Sequence, residues 1–310
     1  MDTRTAALSI RDLHVRIGGQ ELLKGISLDL YPGDAMALVG ANGAGKTTLL
    51  ETCVGLKVPS AGRVSVCGLD PSSQRDELRA RVGMYLQPSL LPNTMTVREA
   101  ASLFRAFYDA SDMETDEALS CMGLLGHRDK RCGVLSAGER QRLLISLALL
   151  GSPSLLVMDE PASALDADSR EAFYALLPIL RGKGIAILVA THQTEGMEKS
   201  FNRYCVMAGG AIVHSGEIGQ LVALNREWPI DVSLTVQPVR DLRQSLSALA
   251  GLRLVSQREG AIQLRARQAD AALAEIGGLC AREGLEISSL WMRDAAKPGA
   301  MRQAPFIAGK

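Results

Sequence analysis

Hydrophobic residues along the chain form short runs that are separated by glycine turns and by longer stretches with helical spacing. The first 30 residues alternate apolar and polar positions around Gly18-Gly19, which is typical of a β-hairpin. Uninterrupted apolar runs follow at 35–39, 155–158 and 185–190, and such runs favour strands buried on both faces of a parallel sheet. Residues 97–150 have mostly helical spacing. Strands that alternate with helices predict an α/β architecture.

The pattern changes near Trp228-Pro229, and a second set of short elements begins there. The predicted strands and helices, in chain order, are 231–237 (strand), 239–250 (helix), 252–257 (strand), 262–266 (strand), 269–283 (helix) and 285–292 (strand). This βαββαβ order predicts a small ferredoxin-like α+β domain at the C-terminus. Within it, Trp291-Met292 is interpreted as core rather than as a ligand site.

These patterns predict how the chain divides. We expect a first domain over 1–227, an accessory domain over 228–297, and a disordered tail over 298–310. A chain of 310 residues is long enough for two domains of ordinary size.

Composition narrows the choice of partners and compartment. Lys and Arg together number 34 and balance 34 Asp and Glu, so no net charge favours nucleic acid, and no nucleic-acid partner is expected. The six cysteines form no C-x-x-C pair, which favours reduced thiols in a cytosolic protein. The start lacks the charge and apolar pattern of a secretory signal. The longest uncharged stretch, 143–158, is interrupted by Gly151 and Pro153, so we expect a soluble protein.

A glycine-rich run directly after the first apolar strand carries the strongest chemical signal. Gly40-Ala41-Asn42-Gly43-Ala44-Gly45-Lys46-Thr47 fits the pattern G-x-x-x-x-G-K-[ST] in full. Its backbone N–H groups are suited to hold the phosphates of ATP, and the helix expected from Lys46 adds its positive N-terminal dipole. The predicted phosphate contacts of the loop are Gly40, Asn42, Gly43, Ala44 and Gly45. Lys46 is expected to reach the β- and γ-phosphates, Thr47 to bind Mg²⁺, and Thr48 to extend the phosphate contacts.

A pair of carboxylates ends the second apolar run. Asp159 stands at the predicted strand tip, where it can hold Mg²⁺ through the water shell of the ion. Glu160 lies one residue further along and is placed to polarise an attacking water molecule. An Asp-Glu pair alone is often just a solvated strand end, but together with the phosphate loop it predicts a catalytic site.

Four further segments resemble motifs of the ABC family of ATPases, in the order that the family has. Residues 135–142, Leu-Ser-Ala-Gly-Glu-Arg-Gln-Arg, resemble the signature usually written LSGGQ, with Ala137 at its first glycine and Glu139 at its glutamine. Pro161-Ala162-Ser163-Ala164-Leu165-Asp166 is similar to the D-loop. Gln87 resembles the Q-loop glutamine and Thr191-His192 the switch histidine. With the phosphate loop and the carboxylate strand, the resemblance covers roughly the first 225 residues.

The resemblance implies a fold, a mechanism and a dimer. The fold is the P-loop NTPase ABC cassette, a mixed sheet core with a helical subdomain. ATP bound to the phosphate loop of one copy is covered by Ser136 and Gly138 of a second copy, which gives an ATP-sandwich homodimer. The implied catalytic residues are Glu160, His192 and Gln87, with Gln87 also sensing Mg²⁺. Asp166 and Ile17 complete the implied nucleotide contacts, although Ile17 stands where the family often has an aromatic residue that stacks on adenine.

Several kinds of ABC protein remain open from the sequence. The leading hypothesis is the ATPase subunit of an exporter, bound to a polytopic permease at the cytoplasmic face of the inner membrane. Its C-terminal pattern resembles that of bacterial drug, antibiotic and polysaccharide exporters. One alternative is a regulated importer subunit whose C-terminal domain senses ligand. The other is a non-transport ABC ATPase that acts on a soluble macromolecule. Such a protein would need either a long coiled coil or a second phosphate loop, and the sequence has no coiled-coil pattern between Gln87 and Ser136 and one phosphate loop.

Overall fold

A computed structural model describes residues 5–86, 91–108, 114–191, 197–220, 228–258, 260–294 and 301–303. The chain divides into two compact units, of which the first holds the described residues up to Gly216 and the second those from Glu217 onward. The sequence prediction put the domain boundary after residue 227, whereas this division falls between Gly216 and Glu217.

The described strands of the first unit form two sheets. They are β1 Leu8–Ile17, β2 Gln20–Leu30, β3 Ala35–Gly40, β4 Ala61–Val66, β5 Val82–Tyr85, β6 Leu155–Asp159, β7 Ala186–Thr191, β8 Arg203–Ala208 and β9 Ala211–Glu217. One sheet is antiparallel with the order β2-β1-β4. The other has the order β5-β6-β7-β3-β8-β9, and its pairs from β5 to β8 are parallel. The predicted α/β architecture with a mixed sheet core is confirmed.

Burial explains why the apolar runs form the centre of the larger sheet. Every residue of β6 and of β7 is buried, as expected for parallel strands covered on both faces. The register pairs Asp159 with Ala190 and Val39 with Thr191. The carboxyl ends of β3, β6 and β7 therefore meet at one edge, where the glycine loop also begins.

Helices pack around and beside this sheet. Those of the first unit are α1 Lys46–Cys53, α2 Arg75–Arg79, α3 Val97–Arg105, α4 Thr115–Cys121, α5 Ala137–Leu149 and α6 Ala167–Gly182, with short 3₁₀ turns at Leu125–His127, Cys132–Val134 and Met197–Lys199. The helices α3, α4 and α5 contact one another and form the predicted helical subdomain. In the described part of the chain, no helix combines the length and the apolar character that crossing a bilayer requires.

In the described part of the chain, the second unit has an antiparallel sheet, helical residues at 218–220 and two further helices. Its elements are β10 Ile230–Gln237, α7 Arg243–Ser247, β11 Leu252–Arg258, β12 Ala261–Ala266, α8 Ala269–Glu283, β13 Glu286–Asp294 and β14 Met301–Gln303. The sheet order is β11-β12-β10-β13-β14. The first six elements follow the predicted βαββαβ order, while the assignment to the ferredoxin-like fold stays a prediction.

Helix α7 is shorter than the predicted span of 239–250. The side chain of Gln257, on β11, explains the later start of the helix because it binds the backbone just before it. Its Nε2 donates to the carbonyl of Arg240, and its Oε1 accepts from the N–H of Leu242 at 3.0 Å. These backbone groups are therefore held by a side chain instead of by a helical turn.

Two interpretations near the C-terminus can be compared with the structure. Of the tail over 298–310, which was expected to be disordered, the structure describes 301–303, and these residues form β14 by pairing with β13; for the rest of the tail the expectation stays a prediction. Trp291 was interpreted as core, but its exposed fraction is 38%, whereas Met292 beside it is buried. Consecutive residues of a strand face opposite sides of the sheet, so only one of the two can point into the core.

Candidate active site

The glycine loop joins the end of β3 to the start of α1, as predicted. Gly45 has a φ of 101° and Gly43 a φ of 77°, a region of backbone conformation that favours glycine. A Cβ atom on Gly40 would lie 2.6 Å from the carbonyl oxygen of Met207 on β8, so only glycine fits there. The loop is thus shaped by backbone constraints before any ligand arrives.

Helix α1 begins at Lys46 with its first turn open to an anion. Its N-cap, Gly45, offers no side-chain cap, and the first turn carries no acidic residue. The N–H groups at the start of a helix and the helix dipole both favour a negative group at this end. This end of α1 is therefore suited to phosphate.

The ammonium group of Lys46 is held over the loop. Its Nζ donates to the carbonyl of Gly40 at 2.8 Å and to that of Ala41 at 3.2 Å. The same Nζ lies 3.9 Å from Oε1 of Glu160, and only 7% of the Lys46 side chain is exposed. The cation is thus positioned between the loop and the carboxylate strand.

Thr47 and Asp159 meet across the site. The hydroxyl of Thr47 donates to Oδ2 of Asp159 at 2.6 Å, although 112 residues separate them in the sequence. Burial raises the pKa of the Asp159 carboxyl above its usual value, while the hydrogen bond from Thr47 acts in the opposite direction. Their two oxygens are hard ligands of the kind that Mg²⁺ prefers.

The donor set fits Mg²⁺ that is shared with a phosphate. Among the described residues, no group of three or more His, Cys, Asp or Glu side chains could enclose a metal by itself. Mg²⁺ is commonly held by one or two protein oxygens together with substrate phosphates and water. Thr47 and Asp159, beside a phosphate loop, match that pattern.

These residues line one cavity of about 440 Å³. Its described lining consists of Leu22, Asn42, Gly43, Ala44, Gly45, Lys46, Thr47, Thr48, Asp159 and Glu160. The volume lies in the range of small-molecule sites, roughly 300–1,000 Å³. Leu22, on β2, was missed by the sequence analysis because nothing but its position in the folded hairpin brings it here. Ile17 is 49% exposed and is not among the lining residues, so its contact with adenine stays a prediction.

Glu160 has an unusual backbone conformation. Its φ of 49° places a non-glycine residue in the left-handed region. Its N–H donates to the carbonyl of Ala190 at the end of β7, at 2.9 Å. The side chain therefore leaves the strand tip at an angle set by the neighbouring strand, and it reaches the cavity.

Ser136 and Gly138 lie at the N-terminus of α5 and do not line this cavity. Ser136 is the N-cap, and its Oγ accepts from the N–H of Glu139 at 3.1 Å, while Oε2 of Glu139 accepts from the N–H of Ser136 at 2.7 Å. That backbone hydrogen bond lowers the pKa of the Glu139 carboxyl. His127 was missed by the sequence analysis, and its Nε2 lies 2.9 Å from Oε1 of Glu139.

The remaining predicted residues have other placements. Asp166 caps α6, where its Oδ1 accepts from the N–H of Ser169 at 2.8 Å. The side chain of Ser169, and then this backbone N–H, lower the pKa of the Asp166 carboxyl. Asp166 is not among the residues that line the cavity, and its predicted contact with nucleotide stays a prediction. Gln87 and His192 lie outside the described residues, so their catalytic roles stay predictions.

Comparison with known proteins agrees with this geometry. Residues 23–163 match the family described as ABC transporter. The Nod factor export ATP-binding protein I of Burkholderia lata is 33% identical over 250 residues, covering 79% of this chain and 82% of that protein.

Solved structures show the same fold. The ATP-binding subunit of an ABC transporter matches with a TM-score of 0.65 and 24% identity, over 71% of this chain and 92% of that chain. A dimeric ATP-binding cassette in a post-hydrolysis state, bound to ADP and Pi, matches with a TM-score of 0.60 and 21% identity, over 68% of this chain and 98% of that chain.

Proposed function

The chain belongs to the family of ABC transporter ATP-binding proteins, and from this premise we propose that it is the ATP-hydrolysing subunit that powers an export complex. One observation carries the proposal. The cavity formed by the complete phosphate loop is also lined by the side chains of four chemically active residues, Lys46, Thr47, Asp159 and Glu160. Each residue then has a task in phosphoryl transfer to water.

The phosphate end of ATP would be held by backbone N–H groups of the loop and by Lys46. Because the Lys46 ammonium already lies between the loop and Glu160, it is placed to neutralise charge on the β- and γ-phosphates. Thr47 and Asp159 would hold Mg²⁺, which would help to neutralise the charge that develops on the phosphates during hydrolysis.

Glu160 is the proposed general base. Its carboxylate lies at the cavity and its backbone is fixed by the end of β7, so it can orient a water molecule towards the γ-phosphate and accept its proton. His192 would contact the γ-phosphate and Gln87 would sense Mg²⁺ and water, as the family resemblance implies.

A second copy would complete the site. Ser136 and Gly138 line no part of the cavity of their own chain, although the family resemblance assigns them to nucleotide. The Ser136 hydroxyl accepts a hydrogen bond from Glu139 and still has its own proton to donate to a γ-phosphate on the facing copy. The cassette of the same fold that is dimeric and bound to ADP and Pi supports pairing of two copies. Loss of the γ-phosphate would then open the dimer.

A permease is the proposed membrane partner. The relative in Burkholderia lata is named as an export protein, which supports export over the importer and the non-transport alternatives. The first unit also has an apolar groove of about 250 Å³, lined by residues that include Val54, Leu56, Leu78 and Met84. Leu56 is 62% exposed and Met84 39%, so the groove offers apolar surface to a permease segment. We place the complex at the cytoplasmic face of the inner membrane.

Replacement of the proposed base tests the ATPase assignment. Glu160→Gln should lower ATP turnover by roughly 10²–10⁴-fold, the range of general-base catalysis. ATP binding should remain, so the variant should accumulate as an ATP-dependent dimer in size-exclusion chromatography. Glu171→Gln is the matched control, since Glu171 is an exposed carboxylate on α6. Normal turnover by Glu160→Gln would refute the assignment.

Co-purification tests the partner. The full chain should retain a polytopic membrane protein from its own cell membranes, whereas ribosomes or DNA in its place would favour the non-transport alternative. A charge in the groove, Met84→Glu, should weaken that association while ATP turnover of the free protein persists. Ile179→Glu is the control, because Ile179 is exposed on α6 and outside the groove. If both variants retained the membrane protein equally well, the groove would not be its contact site.

A further inference from the structure

Gln141 is a buried polar residue to which neither the resemblance nor the cavity gives a task. It lies on α5, five residues after the N-cap Ser136, and only 4% of it is exposed. Burying an amide group is unfavourable unless its hydrogen bonds are satisfied. Its partners therefore indicate what the residue is there to hold.

Both ends of the Gln141 amide bind the loop that follows β6. Nε2 donates to the carbonyl of Pro161 and, at 3.3 Å, to that of Glu160. Oε1 accepts from the N–H of Ala164 at 3.1 Å. A backbone N–H can only donate and a carbonyl can only accept, so this pattern fixes the orientation of the amide.

The loop that Gln141 binds contains Glu160, whose backbone conformation is strained. Glu160 has a φ of 49°, and a non-glycine residue in that region persists only where its surroundings hold it. Its carbonyl accepts from the N–H of Ser163 at 3.2 Å, from the Ser163 hydroxyl at 2.9 Å and from Gln141. Two of these donors come from the loop itself, whereas Gln141 comes from another element.

We propose that Gln141 is a positioning residue that fixes the backbone of Glu160 and ties it to the helix bearing Ser136 and Gly138. This inference rests on the proposed ATPase function. In the proposed dimer, one end of α5 faces the nucleotide of the second copy. The next turn of α5 holds the backbone carbonyl of Glu160, whose carboxylate serves the chain's own nucleotide. A shift of α5 on closure of the dimer would therefore be transmitted to Glu160 through one side chain.

The chemistry predicts a selective defect. Gln141→Met keeps the side-chain volume but removes both donors and the acceptor, so the carbonyls of Glu160 and Pro161 lose a partner. Glu160 should then sample other backbone conformations while the phosphate loop remains intact. We expect kcat to fall by roughly 10–100-fold, since a misplacement of about 1 Å can cost 10²-fold. The KM for ATP should change less than about twofold, because ATP is held by groups that Gln141 does not touch.

Two further variants separate positioning from folding. Ser146→Ala is the matched control, because Ser146 is also buried on α5 but donates to Leu143 of the same helix, at 2.7 Å. It should keep normal kcat. Ser163→Ala removes one donor to the Glu160 carbonyl from an exposed residue and should lower kcat by a smaller factor than Gln141→Met.

A double-mutant cycle provides the decisive measurement, with ATP turnover and ATP-driven dimerisation measured for each full-length protein. If Gln141 acts through Glu160, Gln141→Met combined with Glu160→Gln should be no slower than Glu160→Gln alone and should still dimerise with ATP. An additional tenfold loss in the double variant, or a rise in KM matching the fall in kcat of Gln141→Met, would overturn the proposal. Normal turnover by Glu160→Gln alone would instead refute the proposed base.

Discussion

The two units of the chain differ in what they bury. All the buried polar or charged residues of the described chain lie in the first unit, and they are Asp34, Lys46, Thr52, Gln141, Ser146, Asp159, Thr191 and Ser200. The described core of the second unit is made of aliphatic residues, Met292 and Cys280. Buried polar groups are costly unless they are paired, so a protein retains them mainly where they position chemistry or backbone. The contrast supports catalysis in the first unit.

The strongest test of this contrast is to remove the buried cation. Lys46→Ala should weaken ATP affinity by at least roughly 100-fold, because hydrogen bonds to charged groups contribute about 1.5–3 kcal/mol each and Lys46 is expected to reach two phosphates. Isothermal titration calorimetry would measure the change. Lys183→Ala is the control, since Lys183 is 53% exposed and pairs at the surface with Glu117. Unchanged affinity for Lys46→Ala would contradict the phosphate-loop assignment.

A substitution that creates a cavity in the core of the second unit should lower stability and leave ATP affinity unchanged. Leu264 is 2% exposed and packs in the apolar core of that unit, so Leu264→Ala should lower its free energy of unfolding by about 2–5 kcal/mol. ATP affinity should not change, because that core contributes no residue to the cavity. Urea unfolding and calorimetry on the same protein would measure both quantities. A parallel loss of affinity would show that the two units are not separable in this way.

The smallest expected effect concerns the carboxylate beside Ser136. The pKa of Glu139 is lowered in the folded chain, mainly by the backbone N–H of Ser136, so the ionised group contributes stability above its usual value of 4.5. That contribution should be lost as the pH falls through the lowered value. Glu139→Gln cannot titrate there. The difference in Tm between wild type and this variant should therefore shrink at acidic pH, and a constant difference between pH 7 and pH 3 would exclude the effect.

Local patterns predicted the centre of the site because neighbouring residues determine it. The apolar run, the glycine loop and the helix from Lys46 are continuous in sequence, and the structure has them where they were expected. Thr47 and Asp159 were each assigned to Mg²⁺ from local motifs, and in the structure the two side chains are in direct contact. Here the resemblance to the ABC family and the physical pattern lead to the same residues.

Contacts between distant segments could not be predicted in this way. Gln141 is one polar residue in a motif, and only the fold brings its amide to the loop of Glu160, 19 residues further along the chain. Gln257 shortens α7 by a contact that its strand pattern does not reveal. The left-handed backbone of Glu160 likewise depends on its hydrogen bond to Ala190, on a different strand. These features depend on which side chains become neighbours, and a periodic pattern does not contain that information.

The hydrogen bonds from Lys46 to the carbonyls of Gly40 and Ala41 have a consequence for nucleotide exchange. A side chain that is already ordered loses little conformational entropy when a ligand arrives. ADP can then leave and ATP can bind without a large conformational change in the Lys46 side chain or in the phosphate loop. The pace of successive cycles would be governed by how quickly the paired copies separate, rather than by assembly of the pocket.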